Sequence, residues 1–462
     1  MNSILKDISL YSIGVIFTKG ISFLSIIIYT YFLTKEEIGV YGYILILISF
    51  ANVFFLLGTE SAYARYFFDL KTELEKKVLT STLFLFLIIW LLFVFFIALY
   101  FVEDISIMLL NTQEYQFVFF VAFLSLPLRL LFTIGSQALR NQFKTKEFVV
   151  FNFAISCISI ITVLFLLNYT KLGIASIFIS NIVADLIVFP FMIYFIKNLF
   201  IFQFNYILLK KVLLYGIPFV PTAVGYWIFS SADRIMLEKM VSLESLGAYT
   251  IASSISMIMT LVSTAVGQGW GNHALKSYED NPEEAKKLYI RFFNLIVYVS
   301  LFIIVSILLT GKGILFFILP SNYSNIFYPM IFLLLGIAFQ LTTQVTVLGI
   351  SLKKKPMYLI YITFFIAIFN IFLNYLLIPI YQEVGASIST MCSFFLLTCI
   401  YGVITQRLYT LDYDFRVIYF ALIIIVLSIV FSFFNEIIKW LIFSCMLIVI
   451  YYNRNKIKKG IF

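Results

Sequence analysis

Lys19, Arg129, Asp185 and the adjacent pair Asp233–Arg234 stand inside long apolar runs. A full charge at the centre of a membrane helix costs roughly 2.5–3.5 kcal/mol, so such side chains face a bundle interior, pair with one another or meet a charged ligand. Lys19, Arg129 and Arg234 supply cations. A phosphate or diphosphate would supply the matching anion, and the planar arginine fork fits its oxygens. Asp185, Glu60 and Asp233 supply carboxylates suited to ion coupling. For Lys19 and Arg129 the alternative is a structural pair with Asp185 or Glu60; for Asp233–Arg234 it is an interfacial cap. His273, the only histidine, ends an apolar run in GQGWGNH and reads as an interfacial polar residue. Cys157, Cys392, Cys399 and Cys445 all lie in apolar stretches without a CxxC spacing and read as small hydrophobes. No GxxxxGK[ST] loop is present, so the energy source is a gradient or the substrate itself. No cofactor and no metal are expected.

Weaker polar residues form stripes at helical spacing. They are Asn52 and Glu60; Thr133 and Gln137; Thr222 and Tyr226; Ser256, Thr260 and Gln268; and Gln340 and Gln344. A stripe on an apolar helix lines a wet cavity or packs helix against helix through small and hydroxyl residues. Five stripes, two with full charges, favour a polar cavity. Hydroxyl, amide and tyrosine groups there suit sugar contacts.

The elements that must position these residues are membrane helices. The chain has 462 residues, 62% hydrophobic and only 12% charged, against about 25% charged in soluble domains. Apolar runs near 20 residues recur with short polar breaks. They match a hydrocarbon core of roughly 30 Å and are too long for barrel strands. The spacing predicts fourteen spans, at 9–33, 38–66, 78–101, 115–140, 148–168, 173–196, 212–237, 244–275, 288–309, 326–350, 357–381, 384–408, 414–433 and 436–452. Lys6 and Asp7 precede the first span without a cleavage site, so it is expected to be retained. Outer loops hold only Lys35, Lys171, Lys239, Lys312 and Lys439. Apart from Lys19, Arg129 and Arg234 within spans, every other one of the 32 Lys and Arg falls in an inner loop. That bias places both termini in the cytoplasm. The net charge of +9 faces anionic lipid and does not indicate nucleic-acid binding.

The chain also repeats itself. KEEIGVYGY around Gly39 returns as LESLGAYTI around Gly247, LGIASI at Gly173 as EVGASI at Gly385, and LYSIG at Tyr11 as LYGIP at Tyr215. The common offset implies two parallel six-helix copies, a class in which substrate sites lie between the halves. The resulting division is 1–198 for a first lobe, 199–211 for an interfacial linker, 212–408 for a second lobe and 409–462 for two further helices.

YGIPFVPTAVGYWIFSSADRIML (215–237) resembles the seventh helix of Wzx-type O-antigen and polysaccharide flippases, with its G-x-P motif and Asp-Arg pair. FNIFLNYLLIPIYQEVGASIST (369–390) is similar to their segment at Asn370, Asn374, Pro379, Gly385 and Ala386. LTKEEIGVYGY (33–43) and LLGTESAYARYFFD (56–69) resemble their first loop and second helix. One departure is Gln382–Glu383, where the family often has a glycine turn. The superfamily includes multidrug and toxin extrusion (MATE) proteins and the lipid II flippase, whose two added helices form a lipid-tail groove. The resemblance implies an all-α polytopic membrane protein, not an enzyme, with two six-helix lobes. It implies alternating access for an undecaprenyl-diphosphate oligosaccharide in surface polysaccharide synthesis. The expected partners are that lipid-linked substrate, membrane lipids and the polysaccharide polymerase machinery. A MATE-type drug or cation antiporter and a lipid II flippase are the alternatives. The first needs a carboxylate-rich cavity, whereas this chain has at least as many buried cations as acids.

Overall fold

A computed structural model describes residues 2–411 apart from 111–112, 262–269, 271–273, 275–276, 279, 354 and 356. The spans expected at 414–433 and 436–452, with Cys445, Gln268 and His273, lie outside the described residues. Among the described residues every regular element is helical, as a chain without backbone partners in lipid requires. Nine of these helical stretches are long and apolar enough to cross a membrane. The chain falls into two compact units, Met1–Ser231 and Ala232–Phe462.

In the first unit, α1 (Asn2–Phe32) precedes α2 (Lys35–Leu56) and α3 (Thr59–Asp69). Thr34 starts α2 with a capping box: its hydroxyl accepts from the Glu37 amide, and the Glu37 carboxylate accepts from the Thr34 amide. Thr72 and Glu75 repeat the device at α4 (Glu73–Tyr100). Then follow α5 (Val102–Leu110), α6 (Gln116–Leu124), α7 (Leu126–Asn141), α8 (Thr145–Tyr169), α9 (Ala175–Ile196) and α10 (Tyr206–Gly216). α11 (Phe219–Met240) carries the boundary between the units. α1 packs on α8, α8 and α7 on α9, α4 on α7, and α10 on α3 and α4. Tyr63, Leu83 and Phe119 are fully buried, and the Tyr63 and Thr80 hydroxyls meet at 2.9 Å.

Five of the spans predicted as single helices are interrupted, 244–275 at Met257 and 326–350 at Val347 among them, and the other three breaks fall at a proline or a glycine. The span at 115–140 breaks at Ser125, two residues before Pro127, which has no N–H for the ladder. The span at 212–237 breaks at Ile217–Pro218, between α10 and α11. The span at 38–66 breaks at Leu57 and Gly58, both left-handed, with φ of 51° and 68°. That break presses on another. A Cβ on Gly58 would lie 2.3 Å from the Gly216 carbonyl oxygen, and one on Gly216 would lie 2.6 Å from the Leu57 oxygen. Only glycine permits such an approach of two backbones.

The second unit contains the end of α11, then α12 (Leu243–Ser256), α13 (Pro282–Ile318), α14 (Phe327–Thr346), α15 (Leu348–Leu352) and α16 (Met357–Leu408). α14 is the hub, packed by α12, α13 and α16. Ser256 fastens α12 to it, donating to the Met330 carbonyl at 3.0 Å. A buried cluster of Trp270, Tyr289, Leu341, Val345 and Tyr409 ties the other end. α16 spans 52 residues but turns at Gln382, with φ 50° and ψ −128°. The turn falls between the predicted spans 357–381 and 384–408. Gln382 thus adopts a sparsely populated positive-φ conformation that costs a non-glycine residue about 1–3 kcal/mol, at the position where the resembled family often has glycine. The chain then closes so tightly that a Cβ on Gly385 would lie 2.3 Å from the Leu377 oxygen.

Candidate functional site

Each unit holds a buried charged group at a helix contact. In the first, α7 and α9 bring Arg129 and Asp185 together, with Arg129 Nε 3.1 Å from Asp185 Oδ2. The carboxylate is wholly buried, whereas the Arg129 side chain is 37% exposed. The pair is therefore one-ended: Nε lies against one aspartate oxygen as a charge contact, neither carboxylate oxygen has a hydrogen-bond partner among the described residues, and the two Nη groups have no other partner there. Of the two candidate acids, Arg129 contacts Asp185.

Lys19 lies exposed on α1 and makes no ion pair among the described residues. Glu60, half-buried on α3, feels the charge of Arg140 from α7. Arg140 Nη2 donates to Gln137 Oε1, and Gln137 Nε2 donates to Asn141 Oδ1 at 2.8 Å. This places Gln137 in a polar chain at the basic end of α7. The Thr133 hydroxyl bonds back to the Arg129 carbonyl at 3.0 Å. Asn52 is half-buried with its Oδ1 unpartnered. Thr222 and Tyr226 are exposed on α11.

In the second unit the Asp233 carboxylate is 6% exposed. It accepts from the Tyr249 hydroxyl, from the Thr390 hydroxyl at 3.4 Å and from the Arg234 amide at 2.8 Å. The Arg234 guanidinium turns to Ser253, donating from Nη2 to the hydroxyl at 3.0 Å. Asp233 and Arg234 thus have separate partners on α12 and α16. Beside Thr390 on α16 runs a second buried network. Asn374 Nδ2 donates to Asn370 Oδ1 and Asn370 Nδ2 to Ser393, both at 3.0 Å, while Asn374 Oδ1 is buried without a partner. Thr260, Gln340 and Gln344 are exposed or half-buried, and Ser256 is buried in its contact with α14. Among the described residues no three His, Cys, Asp or Glu side chains form a metal-binding group.

Reading by polar stripes passed over Tyr249, Thr390 and Asn374. The first had served only as a repeat landmark and the others only as parts of a resembled segment. Tyr249 is where a large effect is expected. A hydrogen bond to a charged group contributes roughly 1.5–3 kcal/mol, so Tyr249→Phe should destabilise the protein by about that much. In an Asp233→Ala background the same change should cost far less, because the pair acts as a unit. A double-mutant cycle of unfolding in detergent measures the difference; additive losses would show the two side chains to be independent.

No curated protein matches the chain by sequence. The lipid II flippase MurJ in an inward-closed conformation superposes with a TM-score of 0.73 at 17% identity, covering 96% of this chain and 99% of that one. An inward-facing multidrug resistance MATE transporter superposes with a TM-score of 0.67 at 12% identity, covering 84% and 94%. A point mutant of the Vibrio cholerae MATE transporter VcmN gives 0.62 at 11% identity, covering 88% and 96%. The chain is a multi-pass membrane protein with the fold these transporters share. The polysaccharide biosynthesis protein family matches residues 28–327, and the chain belongs to that family.

Proposed function

We propose that the protein is a flippase that carries an undecaprenyl-diphosphate-linked oligosaccharide from the cytoplasmic to the outer leaflet by alternating access. Its place is the bacterial inner membrane, with both termini cytoplasmic, in assembly of O-antigen or capsule. The observation that carries this reading is the half-open Arg129–Asp185 pair in a member of a polysaccharide biosynthesis family. Two Nη groups without another partner among the described residues, on a side chain 37% exposed, suit a diphosphate. Lys19 and Arg234 are the further headgroup cations, and the polar-stripe residues other than Ser256, which is buried against Met330, are the sugar contacts. Asp185, Glu60 and Asp233 are the carboxylates for ion coupling. An inside-negative potential adds a driving force of roughly 2.3 kcal/mol per negative charge per 100 mV for outward movement.

Deletion of the gene followed by extraction of lipid-linked sugars tests the reading. Complete repeat units should accumulate on the inner leaflet, read as protection from enzymes added outside intact spheroplasts. If those lipids stay at wild-type level while a cationic dye builds up in the cells, the protein is a drug antiporter of the kind its fold relatives include.

A further inference from the structure

The connector between α9 and α10 builds something that transport of a sugar does not require. After a single 3-10 turn at Lys197–Leu199, residues 200–205 run as a strap along α4. The strap is pinned: the Ile201 amide donates to Ser81 Oγ at 2.9 Å and the Asn205 amide to Thr82 Oγ1 at 3.0 Å. Phe200 packs edge-on against Phe84 with ring centres 4.9 Å apart. Asn205 then caps α10, accepting from the Leu208 amide at 3.0 Å.

Beneath the strap lies a cavity of about 480 Å³, within the range of roughly 300–1,000 Å³ usual for small-molecule sites. Its walls include Leu85, Ile88, Leu131, Phe189, Ile193 and Phe202. Ser81 is the one polar side chain in the lining, and its oxygen already accepts the Ile201 amide. Water needs two to four polar partners to settle in a cavity, and a sugar needs more. An apolar chain needs none.

The cavity's surroundings say what is attached to that chain. Phe202 is fully exposed, and Phe204, Tyr206 and Ile207 are exposed beside it, which places the connector in lipid rather than water. Lys197, Lys210 and Lys211 are exposed on either side of the strap, and Lys197 lies 3.9 Å above the Tyr194 ring centre. No acid occurs between Asp185 and Asp233, so nothing on this stretch offsets their charge. Basic side chains flanking an apolar groove match an anionic headgroup with a buried tail.

We propose that this groove binds an anionic glycerophospholipid of the inner leaflet, one acyl chain under the strap and the phosphate among Lys197, Lys210 and Lys211. The volume suits one fatty acyl chain and is too small for a whole undecaprenyl tail. The site lies wholly in the first unit, and its lining includes neither Arg129 nor Asp185, although Leu131 and Phe189 stand on the same two helices.

Native mass spectrometry of the full-length protein, purified in mild detergent and offered equal phosphatidylglycerol and phosphatidylethanolamine, tests it. The wild type should retain phosphatidylglycerol at least fivefold over phosphatidylethanolamine. Leu85→Trp fills the groove and should lower retention at least fivefold. Ile88→Trp at the exposed rim should do the same, and serves if the deeper change impairs folding. Replacing Lys197, Lys210 and Lys211 together with alanine should abolish the preference for phosphatidylglycerol. Equal retention by both tryptophan variants, or an unchanged preference in the lysine variant, overturns the proposal. So does quantitative displacement by undecaprenyl phosphate, which would give the groove to the carrier lipid. Binding is read without transport, so failure of the flippase reading leaves this result standing.

Discussion

Arg129→Ala is expected to abolish export of lipid-linked sugar, with Arg129→Lys retaining part of it. Two effects contribute, and they are separable. Removing the guanidinium strands a wholly buried carboxylate, since Arg129 Nε is the ion-pair partner of Asp185. Breaking one side of a fully buried pair costs roughly 3–5 kcal/mol; here the Arg129 side chain is 37% exposed, which lowers the expected loss to roughly 1–3 kcal/mol. The second effect is loss of the Nη fork for the diphosphate. The double variant Arg129→Ala/Asp185→Ala removes both charges and should recover most of the stability. If export by the double variant returns with stability, Arg129 serves only to neutralise Asp185. If stability returns and export does not, the cation acts on the substrate. Unfolding in detergent reads the first quantity, and accumulation of lipid-linked sugar in complemented cells reads the second.

Gly58→Val is expected to destabilise the folded protein severely, by about 2–5 kcal/mol. Gly58 has φ 68°, and any Cβ there lies 2.3 Å from the Gly216 carbonyl oxygen. The left-handed backbone alone costs an L-residue about 1–2 kcal/mol. Overpacking adds about 1–3 kcal/mol, and the obstacle is backbone rather than a side chain that can swing away. Against a typical total stability of about 5–15 kcal/mol, the sum is a large fraction. The variant should unfold in detergent at a markedly lower temperature than the wild type, and Gly216→Ala should weaken the protein less. Gly225→Ala is the control: no atom lies within 4 Å of its added Cβ, so it should be neutral or slightly stabilising. A well-folded Gly58→Val protein would mean that the two helix breaks do not touch.

Much of the architecture was legible because membrane helices announce themselves locally. An apolar run of sufficient length, bounded by a Thr34 or Thr72 capping box, needs no distant partner to be recognised. The turn at Gln382 was legible as well, since the apolar spans were expected to end at 381 and resume at 384. Breaks inside spans were harder. Pro127 and Pro218 are visible in the sequence, but a proline in a membrane helix is tolerated as often as it is decisive. The outcome at Gly58 depends on Gly216, some 160 positions away.

The candidate site divides along the same line. Composition and span position alone fixed that Arg129, Asp185 and Asp233 are charges in apolar surroundings, because the cost of placing them there is local. Which acid faces Arg129, and that Tyr249 and Thr390 hold Asp233, are decided by how the helices are rotated and at what depth they meet. That rotation is the sum of many small packing contacts along each helix, and no single residue in the sequence carries it.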